Sequence, residues 1–133
     1  MSALGELAAA ADETLRPYAV ADPGPGAFES LIPDPNRAFV IEAVREAYLL
    51  HYAEPRAFDG MDADMRLLAG DALYALGLAR LAEAGDLPAV AALADLISEC
   101  ARMESEGRRE HVQELWDASA AALARGLPEP PNR

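Results

Sequence analysis

The sequence predicts an all-α protein, a single-domain bundle of about five helices around a buried central helix at 61–84. Three observations predict it. Alanine, leucine, glutamate and arginine dominate the 133 residues and β-branched residues are few, a composition that favours helix over strand. Between Leu67 and Ala82 the only charged side chains are Asp71 and Arg80. Apolar residues there fall at nearly every angle of a helical wheel, as in a helix surrounded by other helices. Glycine and proline punctuate the remainder where helices would start and stop.

The first helix is expected from Ser2 to about Leu15, with Leu4, Leu7, Ala8, Ala11 and Leu15 on one face, Ser2 as N-cap and Pro17 as its end. Residues 18–35 hold four prolines and two glycines and read as a loop, pinned to the body by Phe28, Leu31 and Ile32. Asn36 is the expected cap of a second helix to about Tyr52, with Phe39, Val40, Ala43, Val44, Ala47, Tyr48 and Leu50 inward.

Pro55 ends that helix, and Asp59 or Asp62 can cap the central one. Within it, Gly70 and Gly77 each cost roughly 1 kcal/mol against alanine. Seven residues apart, and so on one side, they predict a close helix crossing beside Tyr74. Gly85 as C′ residue, Asp86 as cap and Pro88 in the next first turn predict a helical hairpin. The fourth helix, Leu87 to about Glu106, should bury Val90, Leu93, Ala94, Ile97 and Ala101. Gly107 interrupts, and a last helix from Arg108 to about Arg125 should bury Val112, Leu115, Trp116, Ala120 and Leu123, followed by a proline-rich tail over 126–133. No second domain or internal repeat is visible over 1–133.

Composition excludes several function classes. A net charge of −12 is the wrong sign for a nucleic-acid face or for docking on anionic membranes. There is no lysine, hence no Schiff base and no P-loop lysine. The single Cys100 rules out an internal disulfide and reads as a buried, inert thiol. The central run is short for a membrane span and carries Asp71 near its middle. No basic, apolar leader opens the chain, so a cytoplasmic location without membrane insertion is expected.

Four constellations are candidates for chemistry. Glu54, Asp59, Asp62, Asp64 and Asp71 crowd a helix start, where capping is the plainer role than holding magnesium. Asp71, in the apolar helix, is expected to be buried and so to need a partner, for which Arg45 and His51 on the preceding helix are the candidates. His51 ends a helix and His111 lies in a charged segment, and neither has metal-ligand spacing. Arg102, Arg108 and Arg109 are candidate ligand or anion contacts, although Glu104, Glu106 and Glu110 between them favour local salt bridges. No nucleophile–base pair or phosphate-cradling loop can be written, so no catalytic residue, metal ligand or cofactor is expected.

The stretch Leu67-Leu-Ala-Gly-Asp-Ala-Leu-Tyr-Ala-Leu-Gly-Leu-Ala-Arg-Leu-Ala82 resembles the gly-asp helix of the trans-polyprenyl diphosphate synthases. Glu46-Ala-Tyr-Leu-Leu-His51 is similar to the helix leading into that family's first aspartate-rich motif, and Ala89 to Gly107 to the helix after the gly-asp helix. Leu15-Arg-Pro17 echoes an arg-pro near the family's start, and the likeness covers about Glu42 to Gly107. Where catalytic members carry DDxxD, this chain has Tyr52-Ala-Glu-Pro-Arg56, and the diphosphate-binding arginine pair is missing from that loop. The second aspartate-rich motif would fall past residue 133. The resemblance therefore implies a non-catalytic chain, like the short subunit that pairs with a catalytic one in heteromeric members of the family.

The expected function is that of a helical partner subunit, its partner a catalytic prenyl synthase chain. Two alternatives stand beside it. One is a stand-alone helical interaction or scaffold protein that binds itself as a homodimer. The other is a divalent-metal enzyme using the carboxylates of 54–71.

Overall fold

A computed structural model describes residues 2–125, and within them the chain is a single all-α domain. Its α-helices are α1 (Ala3–Ala10), α2 (Pro35–Tyr52), α3 (Ala63–Glu83), α4 (Leu87–Ser105) and α5 (Val112–Arg125). Short 3-10 turns occupy Glu13–Tyr18, Glu29–Leu31 and Arg109–His111. The proline-rich tail expected over 126–133 lies outside the described residues.

The hub is α2, not the leucine/alanine helix expected at 61–84. Every residue from Ala38 to Val44 is buried, so this helix is enclosed at all angles of its wheel. The sequence hides this because Glu42, Arg45 and Glu46 make α2 look amphipathic. By contrast α3 buries one stripe, Ala69, Gly70, Leu73, Gly77 and Leu81, and leaves its opposite side in solvent.

The α2–α3 pair is the most extensive helix contact. It runs antiparallel: His51 lies beside Gly70, Val40 and Val44 beside Gly77, and Phe39 beside Arg80. A Cβ at Gly77 would meet Val40 Cγ1 at 3.2 Å and Val44 Cγ2 at 3.3 Å, so the glycine lets valine methyls approach the α3 backbone. Such tight interdigitation is how cores reach crystal-like density.

Helix ends follow local chemistry. Ser2 caps α1 through the Gly5 N–H at 3.2 Å, and Asp62 caps α3 through the Met65 N–H at 2.8 Å. The first helix does not continue to Leu15. Asp12 caps the next turn by accepting from the Thr14 N–H at 2.9 Å, which interrupts the ladder while Leu15 stays buried. Asp34, rather than Asn36, caps α2, accepting from the Asn36 and Arg37 N–H groups at 2.8 and 3.0 Å. Pro35 supplies the preset first turn. Gly85 (φ +75°) closes α3, with the Asp86 N–H donating to Leu81 O at 2.9 Å.

One expected face is rotated. The buried stripe of α4 is Ala89, Leu93, Leu96, Cys100 and Met103, so Ala94 and Ala101 point outward. In a helix this rich in alanine two neighbouring stripes are almost equally apolar, and Cys100 and Met103 decide which one faces in. The last segment opens as a 3-10 turn before α5 buries Val112, Trp116, Ala120 and Leu123. In the 18–35 loop, Phe28 and Ile32 are buried but Leu31 is exposed. Phe28 stacks on Trp116 at 6.2 Å and Tyr48 tilts against Trp116 at 5.9 Å, joining loop, α5 and α2.

Candidate functional site

His51, in the last turn of α2, is placed by Gly70. Its Nε2 lies 3.1 Å from Leu67 O and 3.3 Å from Asp71 Oδ1, and its ring stands edge-on to Tyr74 at 5.4 Å. Asp71 thus meets one of its two expected partners, but it is not buried: its side chain is 73% exposed, because this side of α3 faces solvent. Open to solvent, its carboxylate needs no partner to offset burial. Arg45 is not its partner. The Arg45 guanidinium lies over the rings of Phe28 and Trp116 at 5.3 and 5.6 Å, with Nε buried and unbonded.

Beside His51 opens a cleft of about 660 Å³, lined by His51, Tyr52, Glu54, Arg66, Leu67 and Arg109 among others. Both guanidiniums in it are engaged. Arg66 donates to Leu50 O at 3.1 Å, to Leu49 O at 3.2 Å and to Ala53 O; Arg109 donates to Tyr52 O at 2.6 Å. The last carbonyls of a helix lack intrahelical partners and carry partial negative charge, so two arginines there cap α2.

The expected arginine cluster does not act together. Arg102 pairs with Glu99 at 2.6 Å and reaches Glu106 at 3.6 Å, and Arg108 also turns to Glu106 at 3.5 Å. Arg109 alone turns to the cleft, held by Glu104 at 2.9 Å. Glu104 also accepts from the Tyr48 hydroxyl, and burial together with this carboxylate raises the Tyr48 pKa. Of the carboxylates near the start of α3, Asp62 caps the helix and Asp59 accepts from the Gly60 N–H at 2.9 Å. Among the described residues no group of three or more His, Cys, Asp and Glu side chains is placed to hold a metal ion.

Two residues that sequence reasoning passed over organise both loops. Glu42 and Glu46, one turn apart on α2, are each only 1% exposed. Glu42 accepts from the Ala27 and Phe28 N–H groups at 3.1 and 2.6 Å; Glu46 accepts from those of Arg56 and Ala57, each at 2.9 Å. Arg56 then donates to Pro23 O and Pro25 O at 3.2 and 2.8 Å, tying one loop to the other. Burial raises both carboxyl pKa values, against the lowering effect of the amides they accept from. The available signal is two acids at i, i+4 flanked on both sides by large apolar residues of the same helix.

The outward side of α3 carries a row of exposed apolar residues. Leu68, Ala72, Ala75, Ala79 and Ala82, all exposed, repeat at spacings of four and three. This is the seam pattern by which one helix receives another. Leu67 and Leu68 are 52% and 65% exposed. The rim carries Asp64, Asp71 and Glu83. The helix's two arginines point elsewhere, Arg66 to the α2 carbonyls and Arg80 over the Phe39 ring at 3.8 Å. On α5 the solvent side is polar, with Gln113, Glu114 and Asp117 exposed, as a surface helix normally is.

No family model, curated protein or solved structure matches the chain. No helix among the described residues is long and apolar enough to cross a membrane.

Proposed function

We propose that this chain is a non-catalytic helical partner subunit, similar in role to the short component of a heteromeric trans-polyprenyl diphosphate synthase. The observation that carries the reading is the exposed apolar seam of α3 from Leu68 to Ala82. Apolar side chains that recur with helical period on a solvent face mark a place where another chain packs. The stretch resembling the family's gly-asp helix is this same helix, and its Gly70-Asp71 step sets the α2 crossing on one side and the rim of the seam on the other.

The cleft beside His51 supports the reading from another direction. Its arginines are spent on the carbonyls of α2, and a helix C-terminus repels a diphosphate. The catalytic work would thus fall to the partner. The test is gentle recovery of the tagged chain from its native cell, with its companions identified by mass spectrometry. Near-stoichiometric recovery of a DDxxD-bearing chain, and a change in product length when this chain is omitted, are the expected results. Recovery of this chain alone overturns the reading.

A further inference from the structure

We infer that the outer face of α3 receives a single amphipathic helix of another chain whose apolar seam is flanked by arginine or lysine. The inference rests on the partner-subunit reading and adds to it the surface and the chemistry of the occupant.

Geometry selects a helix. The seam from Leu68 to Ala82 is about 21 Å long and one helix wide. Its alternating spacing of four and three matches knobs-into-holes packing. Four of its five residues are alanine, so a partner backbone can come close and must itself provide the bulky side chains. Leu67 and Leu68 crowd the N-terminal end, so the partner's small residues belong there and its large ones opposite Ala75, Ala79 and Ala82.

Charge selects which helix. Asp64, Asp71 and Glu83 line the rim, and both arginines of α3 are committed on its inner side. A cationic flank is drawn to this rim and an acidic one is repelled. The same argument disfavours a second copy. It would bring the same three carboxylates and another net charge of −12, and would set alanine against alanine in mid-seam.

The experiment uses the full chain and two fluorescein-labelled synthetic helical peptides of 21 residues. Both carry leucine at the seam positions, one with arginine and lysine flanks and one with glutamate flanks. Binding is read by fluorescence anisotropy against the wild-type chain and against Ala75→Glu. That substitution adds a bulky carboxylate in mid-seam on an exposed helical site, so folding is retained and general attraction for cations grows. The inference expects the cationic peptide to bind wild type, to bind Ala75→Glu at least tenfold more weakly, and the acidic peptide not to bind. Equal or tighter binding to Ala75→Glu would mean charge attraction alone and overturns it. So would equal binding of the acidic peptide, or a wild-type dimer in sedimentation that Ala75→Glu dissociates.

Native recovery with both chains separates the two claims. A DDxxD-bearing chain recovered with wild type but lost with Ala75→Glu supports both. Recovery with both variants keeps the subunit reading and overturns the docking face, and recovery with neither overturns the reading itself.

Discussion

The His51 imidazole occupies the space in which a side chain at position 70 would begin. A Cβ at Gly70 would run into the ring at Cδ2 and Nε2, and would sit 3.1 Å from Ala47 O. Gly70→Ala should therefore destabilise by roughly 1–2 kcal/mol, although alanine gains about 1 kcal/mol of helix propensity over glycine. In a His51→Ala background the ring clash is gone and only the 3.1 Å approach to Ala47 O remains, so the same change should cost less, giving a coupling of at least about 1 kcal/mol in a urea-denaturation cycle. Additive effects would show that the ring moves aside freely.

Glu46 holds the 53–62 connection by accepting from two backbone amides while 1% exposed. A glutamine offers one acceptor oxygen, and its amide group faces donors. Glu46→Gln should cost roughly 1–3 kcal/mol, as expected for buried donors left unpaired. Equilibrium unfolding reads this, and amide exchange at Arg56 and Ala57 should quicken in the same variant.

The pH dependence has two opposing parts. The Arg37 guanidinium, 2.7 Å from Asp86 and bonded to both its oxygens, holds that carboxyl below the usual carboxylate range. The pair's contribution is complete above the unfolded value of about 3.9 and is lost as pH falls through the lowered folded value. Glu42 and Glu46 are raised by burial. The folded chain therefore binds more protons than the unfolded one from about pH 4.3 up to their raised values, and stability declines as pH rises through that window. Each group contributes a slope of at most about 1.4 kcal/mol per pH unit. Thermal melts from pH 3 to 8 should show a maximum in mildly acidic solution, with a shallower alkaline decline in Glu46→Gln. A steady rise to pH 8 would contradict the assignment.

Arg37 also donates to Leu123 O at 3.2 Å, so it joins the start of α2, the α3–α4 turn and the end of α5. Asp86 caps α4 through the Ala89 N–H at 3.3 Å besides binding Arg37. Asp86→Ala loses the pair and the cap, and Arg37→Met loses the pair and the bond to Leu123 O, so the two should cost the same to within about 1 kcal/mol. Paired denaturation curves decide it.

Cys100 is buried, and burial pushes its thiol up to about 11. Since the thiolate is the reactive form, a disulfide reagent at pH 8 should label the folded chain far more slowly than the urea-unfolded chain. Fast labelling of the folded chain would show that α4 opens.

What the sequence makes legible here is local. Ser2, Asp62, Gly85 and Asp86 can be placed because caps and C′ glycines act within a few residues of themselves. The spacing of Gly70 and Gly77 points to a close crossing because only a missing Cβ explains two such costs on one face. The hub escapes notice because Glu42 and Glu46 look like solvent residues until the Phe28 and Ala57 amides, 14 and 11 residues away, are in place. The open side of α3 escapes for the opposite reason. An alanine/leucine seam reads as core whether the second helix belongs to this chain or to another, and no local signal separates the two. Arg66 is overlooked similarly, since its carbonyl partners lie at and just past the end of α2, 13 to 17 residues away.

The proposed partner-subunit role places another chain on the α3 seam. Native mass measurement of the protein, purified gently from its own cell, tests it most directly. The expected result is a heteromer in which one copy of this chain travels with a DDxxD-bearing chain, and its loss with Ala75→Glu. A mass equal to this chain alone, or to a whole multiple of it, would overturn the partner-subunit role.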